Sequence, residues 1–215
     1  MVDIIDPAVG DYLLTHCTPA DEVLRDLAQE TWSKLPGSAG MQISHDEGAL
    51  LTMLVRLTGA EFAVEVGTFT GYSSICIARG LRPGGRLLAC DVSEEWTQVA
   101  CGYWERAGLT DRIDLRIAPA IETLRALDPA PVIDFAFVDA DKTGYPAYYA
   151  ELVPRLRPGG LLVLDNVLRG GRALDPVDES DRAIAGLNDH IVTDERVDVV
   201  MLPVRDGVTL VRKRG

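Results

Sequence analysis

The sequence predicts a doubly wound α/β fold around a seven-stranded, mostly parallel sheet, on three observations. Four apolar runs read as buried parallel strands: FAVEV at 62–66, RLLACD at 86–91, VIDFAFVD at 132–139 and LLVLD at 161–165. Segments with helical signals separate them, and such alternation builds a sheet with helices on both faces. The ending VDVVMLPVRDGVTLVRKR places two apolar runs around Arg205-Asp206-Gly207, the pattern of an antiparallel hairpin that closes the sheet.

Before the first strand the chain predicts helices rather than a further strand-helix unit. Thr18-Pro19-Ala20-Asp21 starts one, in which Val23, Leu24, Leu27, Ala28, Thr31, Trp32 and Leu35 form a packing stripe at helical spacing. LPGSAGMQI then has the Gly and Pro content of a mobile loop. Ser44-His45-Asp46-Glu47 reads as a capping box for the next helix, with Leu50, Met53, Leu54 and Leu57 facing inward and Gly59 ending it. Beyond the first two strands, Ser93 caps a helix reaching Gly108, and RIDLRI at 112–117 alternates as a strand nearer the sheet edge does. Pro119 opens another helix as its first residue. NVLRGGRALDPVDESD is loop-like, and Arg182 to Ile191 reads as a helix. One domain is expected, with N-terminal helices and lid over 1–58 and the α/β core over 61–215.

Lys plus Arg number 21 against 33 Asp plus Glu, and the net charge of -12 repels phosphate backbones and anionic lipid alike, which argues against nucleic-acid and membrane partners. No apolar stretch approaches the roughly 20 residues that cross a bilayer, and MVDIIDPAVGD has no basic leader region, so a cytoplasmic location is expected. The four cysteines form no CxxC pair, and three of them, in apolar surroundings, read as buried free thiols. His16, His45 and His190 are scattered, which argues against zinc.

Glu65-Val66-Gly67-Thr68-Phe69-Thr70-Gly71 falls where the first strand gives way to a helix, the crevice in which open α/β sheets bind ligands. Asp91 ends the next strand and is placed to accept hydrogen bonds from two ribose hydroxyls. This much suits a nicotinamide cofactor as well, and a plain strand-to-helix turn also needs glycine. Two details disfavour NAD. The pattern is GxxxG rather than GxGxxG, and Glu65 puts beside the loop a carboxylate that repels pyrophosphate but attracts an ammonium group. S-adenosylmethionine, with an adenosine, a sulfonium and an amino-acid tail but no phosphate, matches better.

Asp139 ends one strand, Asp165 and Asn166 end another, and a parallel sheet brings both ends to the rim that holds Gly67 and Asp91. Two carboxylates and an amide oxygen are a hard-oxygen set for Mg²⁺ or a similar divalent cation such as Mn²⁺ or Ca²⁺. The bland alternative is a helix cap at Asp139 and an Asx turn at Asp165-Asn166. Lys142 follows Asp139 by three residues; a dication disfavours the charged form of a neighbouring lysine, as a general base requires, although most lysines are solvated surface residues.

With these motifs in hand, the sequence resembles the cation-dependent O-methyltransferases that include catechol and caffeoyl-CoA O-methyltransferases. The resemblance covers roughly residues 36–212 and is carried by MQIS at 41–44, EVGTFTGYSS at 65–74, ACDVS at 89–93, FVDADKTGY at 137–145, RPGGLLVLDNVLRGG at 157–171 and DGVTLVRKR at 206–214. It implies a Rossmann-like S-adenosylmethionine-dependent methyltransferase fold in which Ile43, Glu65, Gly67, Thr68, Ser73, Asp91, Ala120 and Asp141 contact the donor and Met41 sits near the reactive methyl group. It further implies that Asp139, Asp165 and Asn166 hold the metal, that Lys142 takes a proton from a small phenolic substrate bearing a vicinal diol, and that the protein is a homodimer. Ala118 replaces a glycine common in the family, and Arg169 occupies a position often held by Trp. Two rival functions are a nicotinamide-dependent oxidoreductase and a non-catalytic S-adenosylmethionine-binding protein; intact DADK and DN argue against the second, since binding alone needs neither metal nor base.

Overall fold

The computed structural model describes residues 5–215, so the first four residues of the leader reading lie outside the described residues. The strands are β1 (Phe62–Val66), β2 (Arg86–Asp91), β3 (Ile113–Ile117), β4 (Ile133–Val138), β5 (Leu156–Asp165), β6 (Val197–Leu202) and β7 (Val208–Lys213). They form one sheet in the order β3-β2-β1-β4-β5-β7-β6. β1 to β5 run parallel, and β7 is antiparallel to both β5 and β6. The C-terminal hairpin thus adds its second strand inside its first. RIDLRI is the edge strand its alternation predicts. β5 begins at Leu156, earlier than its apolar run, with a register irregularity opposite Ile133 and Phe135.

The described residues form eight α-helices: α1 (Pro7–Thr15), α2 (Glu22–Lys34), α3 (His45–Thr58), α4 (Tyr72–Gly80), α5 (Glu94–Arg106), α6 (Ala120–Ala126), α7 (Tyr145–Arg155) and α8 (Glu179–Thr193). Side chains alternate along each strand and so feed two cores. Ala63, Leu87, Phe135 and Val163 pack under Leu27 of α2, Leu51 and Val55 of α3 and Trp104 of α5. Val64, Leu88, Ala136 and Leu162 pack under Leu124 of α6, Leu152 of α7 and Leu187 of α8. Ser93 caps α5 through the Trp96 amide, and Gly59 ends α3 in the left-handed conformation, as read from sequence.

Several local expectations are corrected. Trp32 is 60% exposed, because α2 docks through Leu24, Leu27 and Thr31, whose hydroxyl donates to Thr70 Oγ1 at 3.0 Å. On α3, Met53 and Leu57 point outward, 60% and 77% exposed, and the buried stripe is Glu47, Gly48, Leu51 and Val55. The cause is close packing on α4: a Cβ at Gly48 would stand 2.8 Å from Cys76 Sγ, so the helix turns its smallest residue to its neighbour. Pro119 sits just outside α6 with ψ 121°, as N-cap rather than first residue. α8 is longer than the reading at both ends, starting behind an Asp178 cap. The cysteines are free, but only Cys76 and Cys90 are buried; Cys101 is exposed. LPGSAGMQI is irregular apart from a 3-10 turn at Ala39–Met41, and its Ala39 and Ile43 are buried. No helix among the described residues is long and apolar enough to cross a membrane.

β1 lies between β2 and β4, so the chain reverses direction across the sheet beside it, and the crevice opens at the end of β1. There Gly67 adopts φ 93°, and a Cβ on it would lie 2.0 Å from the Asp139 carbonyl oxygen. Gly67→Ala should therefore cost about 3 kcal/mol or more in urea unfolding, the scale of combined backbone strain and steric conflict. A loss below about 1 kcal/mol would show that the two strand ends can separate freely.

Candidate active site

The first wall of the site is the turn after β1. Gly67 N donates to the Cys90 carbonyl at 2.9 Å, and the amides of Thr68 and Phe69 donate to Asp91 Oδ2 at 2.9 and 2.8 Å. Asp91 Oδ1 accepts from Ser93 N at 2.8 Å. Asp91 therefore holds the turn while its carboxylate also faces the cleft. Phe69 takes φ 51°, unusual for a residue with a side chain, and its ring meets Trp96 edge-on at 5.2 Å. Beneath the turn Glu65 is fully buried and accepts from Thr68 Oγ1 at 3.2 Å and Ser74 Oγ at 2.5 Å. Burial pushes its carboxyl up to about 7 in spite of these hydroxyls.

The opposite wall is acidic. Asp139, at the end of β4, donates its amide to the Val66 carbonyl at 2.8 Å, and its Oδ1 accepts from Lys142 Nζ at 2.8 Å. Lys142 also donates to Tyr145 Oη at 2.8 Å, and its side chain is nearly buried rather than solvated. Tyr145 Oη lies 3.0 Å from the carbonyl oxygens of both Val138 and Asp165, so one hydroxyl spans the ends of β4 and β5. Asp165 is fully buried; its Oδ1 accepts from Asn166 N at 2.6 Å, and its carboxyl lies within hydrogen-bond reach of Glu47. Asn166 holds φ 55° beside it. Burial first, and then the charge of Asp139, raise the Asp165 carboxyl well above the usual range, with Lys142 offsetting only part.

A third carboxylate joins these two. Glu47 is 1% exposed and does not reach back to the start of the helix, and Ser44 Oγ makes no cap bond, so the expected capping box does not form. Glu47 turns instead towards Asp165 and Asp139; burial, then those two charges, hold its carboxyl well above the ordinary range. Among the described residues no three His, Cys, Asp or Glu side chains form a ready-made metal cluster.

Between the walls lies a cleft of about 720 Å³. Met41, Ile43, Gly67, Thr68, Ser73, Asp91, Ala120, Asp139, Asp141, Lys142 and Asn166, all singled out from the sequence, line it. Glu65 and Asp165 do not, being buried behind the turn and at the end of β5. Ala118 and Arg169 also reach it. The Arg169 guanidinium is held by Asp181 of α8, whose carboxylate Arg172 shares: the two Nε atoms donate at 3.1 and 2.8 Å. Sequence reasoning missed Glu47, Tyr145, and Tyr148, which donates to Asp141 Oδ1 at 2.6 Å. A tyrosine directly after DADKTG was a signal for the second of these; Glu47 was hidden by its fit to a helix cap.

A family model described as O-methyltransferase matches residues 15–214. The chain belongs to the O-methyltransferase family. "Probable caffeoyl-CoA O-methyltransferase 1" of Dictyostelium discoideum is 37% identical over 212 residues, which cover 96% of this chain and 92% of that one. Among solved structures, the O-methyltransferase from Bacillus cereus in complex with SAH is 31% identical, with a TM-score of 0.88 over 96% of this chain and 97% of that one. TomG from Streptomyces achromogenes, an O-methyltransferase involved in tomaymycin synthesis and solved with SAM, is 30% identical, with a TM-score of 0.88 over 97% and 96%. The chain is thus an S-adenosylmethionine-dependent O-methyltransferase, and the nicotinamide and non-catalytic readings fall away.

In this O-methyltransferase the buried Glu65 makes stability depend on pH. Its carboxyl rises from 4.5 to about 7 on folding, so its contribution is complete below pH 4.5 and is lost as pH rises through 7. Glu65→Gln keeps a neutral side chain throughout. Without ligand, the variant should match the wild type near pH 4.5 in urea unfolding and exceed it at pH 8 by up to about 3 kcal/mol. A constant difference across that range would mean that Glu65 does not titrate there.

Proposed function

We propose that this enzyme transfers the methyl group to one hydroxyl of a vicinal aromatic diol of catechol or caffeoyl type, with a divalent cation held by Asp139, Asp165 and Asn166 and with Lys142 as base. The observation that carries this reading is the acid wall: the buried or nearly buried carboxyl groups of Asp139, Asp165 and Glu47 crowd together, and of the three the Lys142 ammonium bonds that of Asp139. Unpaired charge of this kind is costly away from water, and a hard cation on oxygen donors relieves it. The residues present therefore fit the ion. Bound there, it would supply Lewis acidity and a fixed anchor for two neighbouring hydroxyl oxygens.

The chain's own residues do the rest. Asp91, already oriented by three backbone amides, accepts from the ribose hydroxyls of the donor. Glu65, beneath the turn, gives the amino-acid tail of the donor a carboxylate to face. Ile43, Gly67, Thr68, Ser73, Ala120 and Asp141 enclose the donor, and Met41 covers the transferring methyl group. Lys142 takes the proton at the attacking hydroxyl oxygen. The resulting phenolate and the sulfonium cancel their charges as the methyl moves, so a closed site that excludes water favours the step. The outward Met53 and Leu57 support a homodimer, which light scattering would register at twice the chain mass.

Activity on a catechol should vanish in EDTA, return with Mg²⁺ or Mn²⁺, and be abolished in Asp139→Asn and Asp165→Asn, while donor binding by calorimetry largely survives. A monophenol of similar size should be a poor substrate. Full turnover in EDTA, with bound metal excluded by elemental analysis, would sink the cation and leave the methyltransferase standing. Lys142→Ala should lower kcat about 100-fold or more, and less for a nitrocatechol, whose hydroxyl ionises unaided. Equal losses on both acceptors would make Lys142 a positioning group.

A further inference from the structure

Glu47 stands in a pattern, Ser-x-x-Glu, whose local use is to cap a helix, and it does not serve that use. Ser44 Oγ makes no bond, and the buried Glu47 carboxyl lies within hydrogen-bond reach of Asp165 instead. A carboxylate that forgoes its cap, leaves water and points at two other carboxylates is unfavourable on every local count. Its placement is also built rather than accidental: the close contact of Gly48 with Cys76 and Tyr72 rotates α3 so that Glu47, one residue earlier, meets the end of β5. The first turn of α3 offers unpaired amides and the positive end of its dipole, which ease a negative charge there but do not pair it.

We propose that Glu47 is a fourth protein group of the cation site, acting through water bound to the ion and not as a direct ligand. This rests on the cation reading above. Glu47 stands against Asp165 and Asp139, and Lys142, the ammonium beside them, is bonded to Asp139. The contact goes through water because Asp139, Asp165 and Asn166 are already the direct ligands in the cation reading above. A small hard cation keeps several of its waters; these are donors, and Glu47 offers two oxygens that only accept. Groups that hold the outer coordination shell tune affinity without touching the ion.

The test is Mn²⁺ binding by electron paramagnetic resonance, without substrate, for the wild type, Glu47→Gln, Glu47→Leu and Asp165→Asn. Melting in EDTA verifies that each is folded. Glu47→Gln should weaken Mn²⁺ about 10- to 100-fold, Glu47→Leu at least as much, and Asp165→Asn more than either. Affinity for S-adenosylhomocysteine in EDTA should be unchanged in the Glu47 variants, because Glu47 does not line the donor cleft. Unchanged Mn²⁺ affinity in both Glu47 variants, alongside its loss in Asp165→Asn, would overturn the role of Glu47 and leave the cation site standing. A wild type that binds no Mn²⁺ would overturn both.

Discussion

The amide of Asp139 donates to the Val66 carbonyl, and Gly67 just beyond has no room for a side chain against the Asp139 carbonyl. These contacts fuse the donor turn of β1 to the acid end of β4. In the arrangement proposed above, the donor on one side and the acceptor chemistry on the other are spaced by that join. Methyl transfer needs the attacking oxygen and the methyl carbon within a near-attack separation, and a small error in it costs orders of magnitude in rate. Placing the join in the backbone of two central parallel strands puts it in the stiffest part of the molecule.

The electrostatics on the two sides of the join are alike in kind. Glu65 and Asp165 are both fully buried carboxylates lifted out of the usual acid range, one beneath the turn after β1 and one at the end of β5. Neither lines the cleft directly. Each leaves a potential that a cationic group at the surface of the cleft would satisfy, and water cannot reach in to screen it. The empty enzyme is thus held in a less stable state than its ligands allow, a common cost of preorganised sites.

The strands and the two chemical motifs were legible because each is local. FAVEV, RLLACD and the other runs are apolar on both faces, and Gly67, Asp91, Asp139 and Asn166 sit at strand ends, where topology alone brings them to one rim. What escaped was decided between elements. α3 carries two apolar stripes of similar strength, Leu50-Leu54-Leu57 and Leu51-Val55, and the choice falls to Gly48, which hydrophobicity does not weigh. The same rotation takes Glu47 from the cap to the acid wall, so a rule of helix ends failed through a contact with a different helix. Trp32 is outward for a related reason, since the hydroxyl pair of Thr31 and Thr70 fixes the face of α2.

Arg169 lines the cleft, yet what fixes it is Asp181, a fully buried residue of α8 that it shares with Arg172. This stretch of the cleft wall is therefore moored to α8. A substitution in the core of α8 that tilts it slightly would carry Asp181, and with it the guanidinium, without altering any residue in contact with either substrate. Related enzymes could in this way diverge in the phenols they accept through changes that a comparison of cleft residues alone would never register.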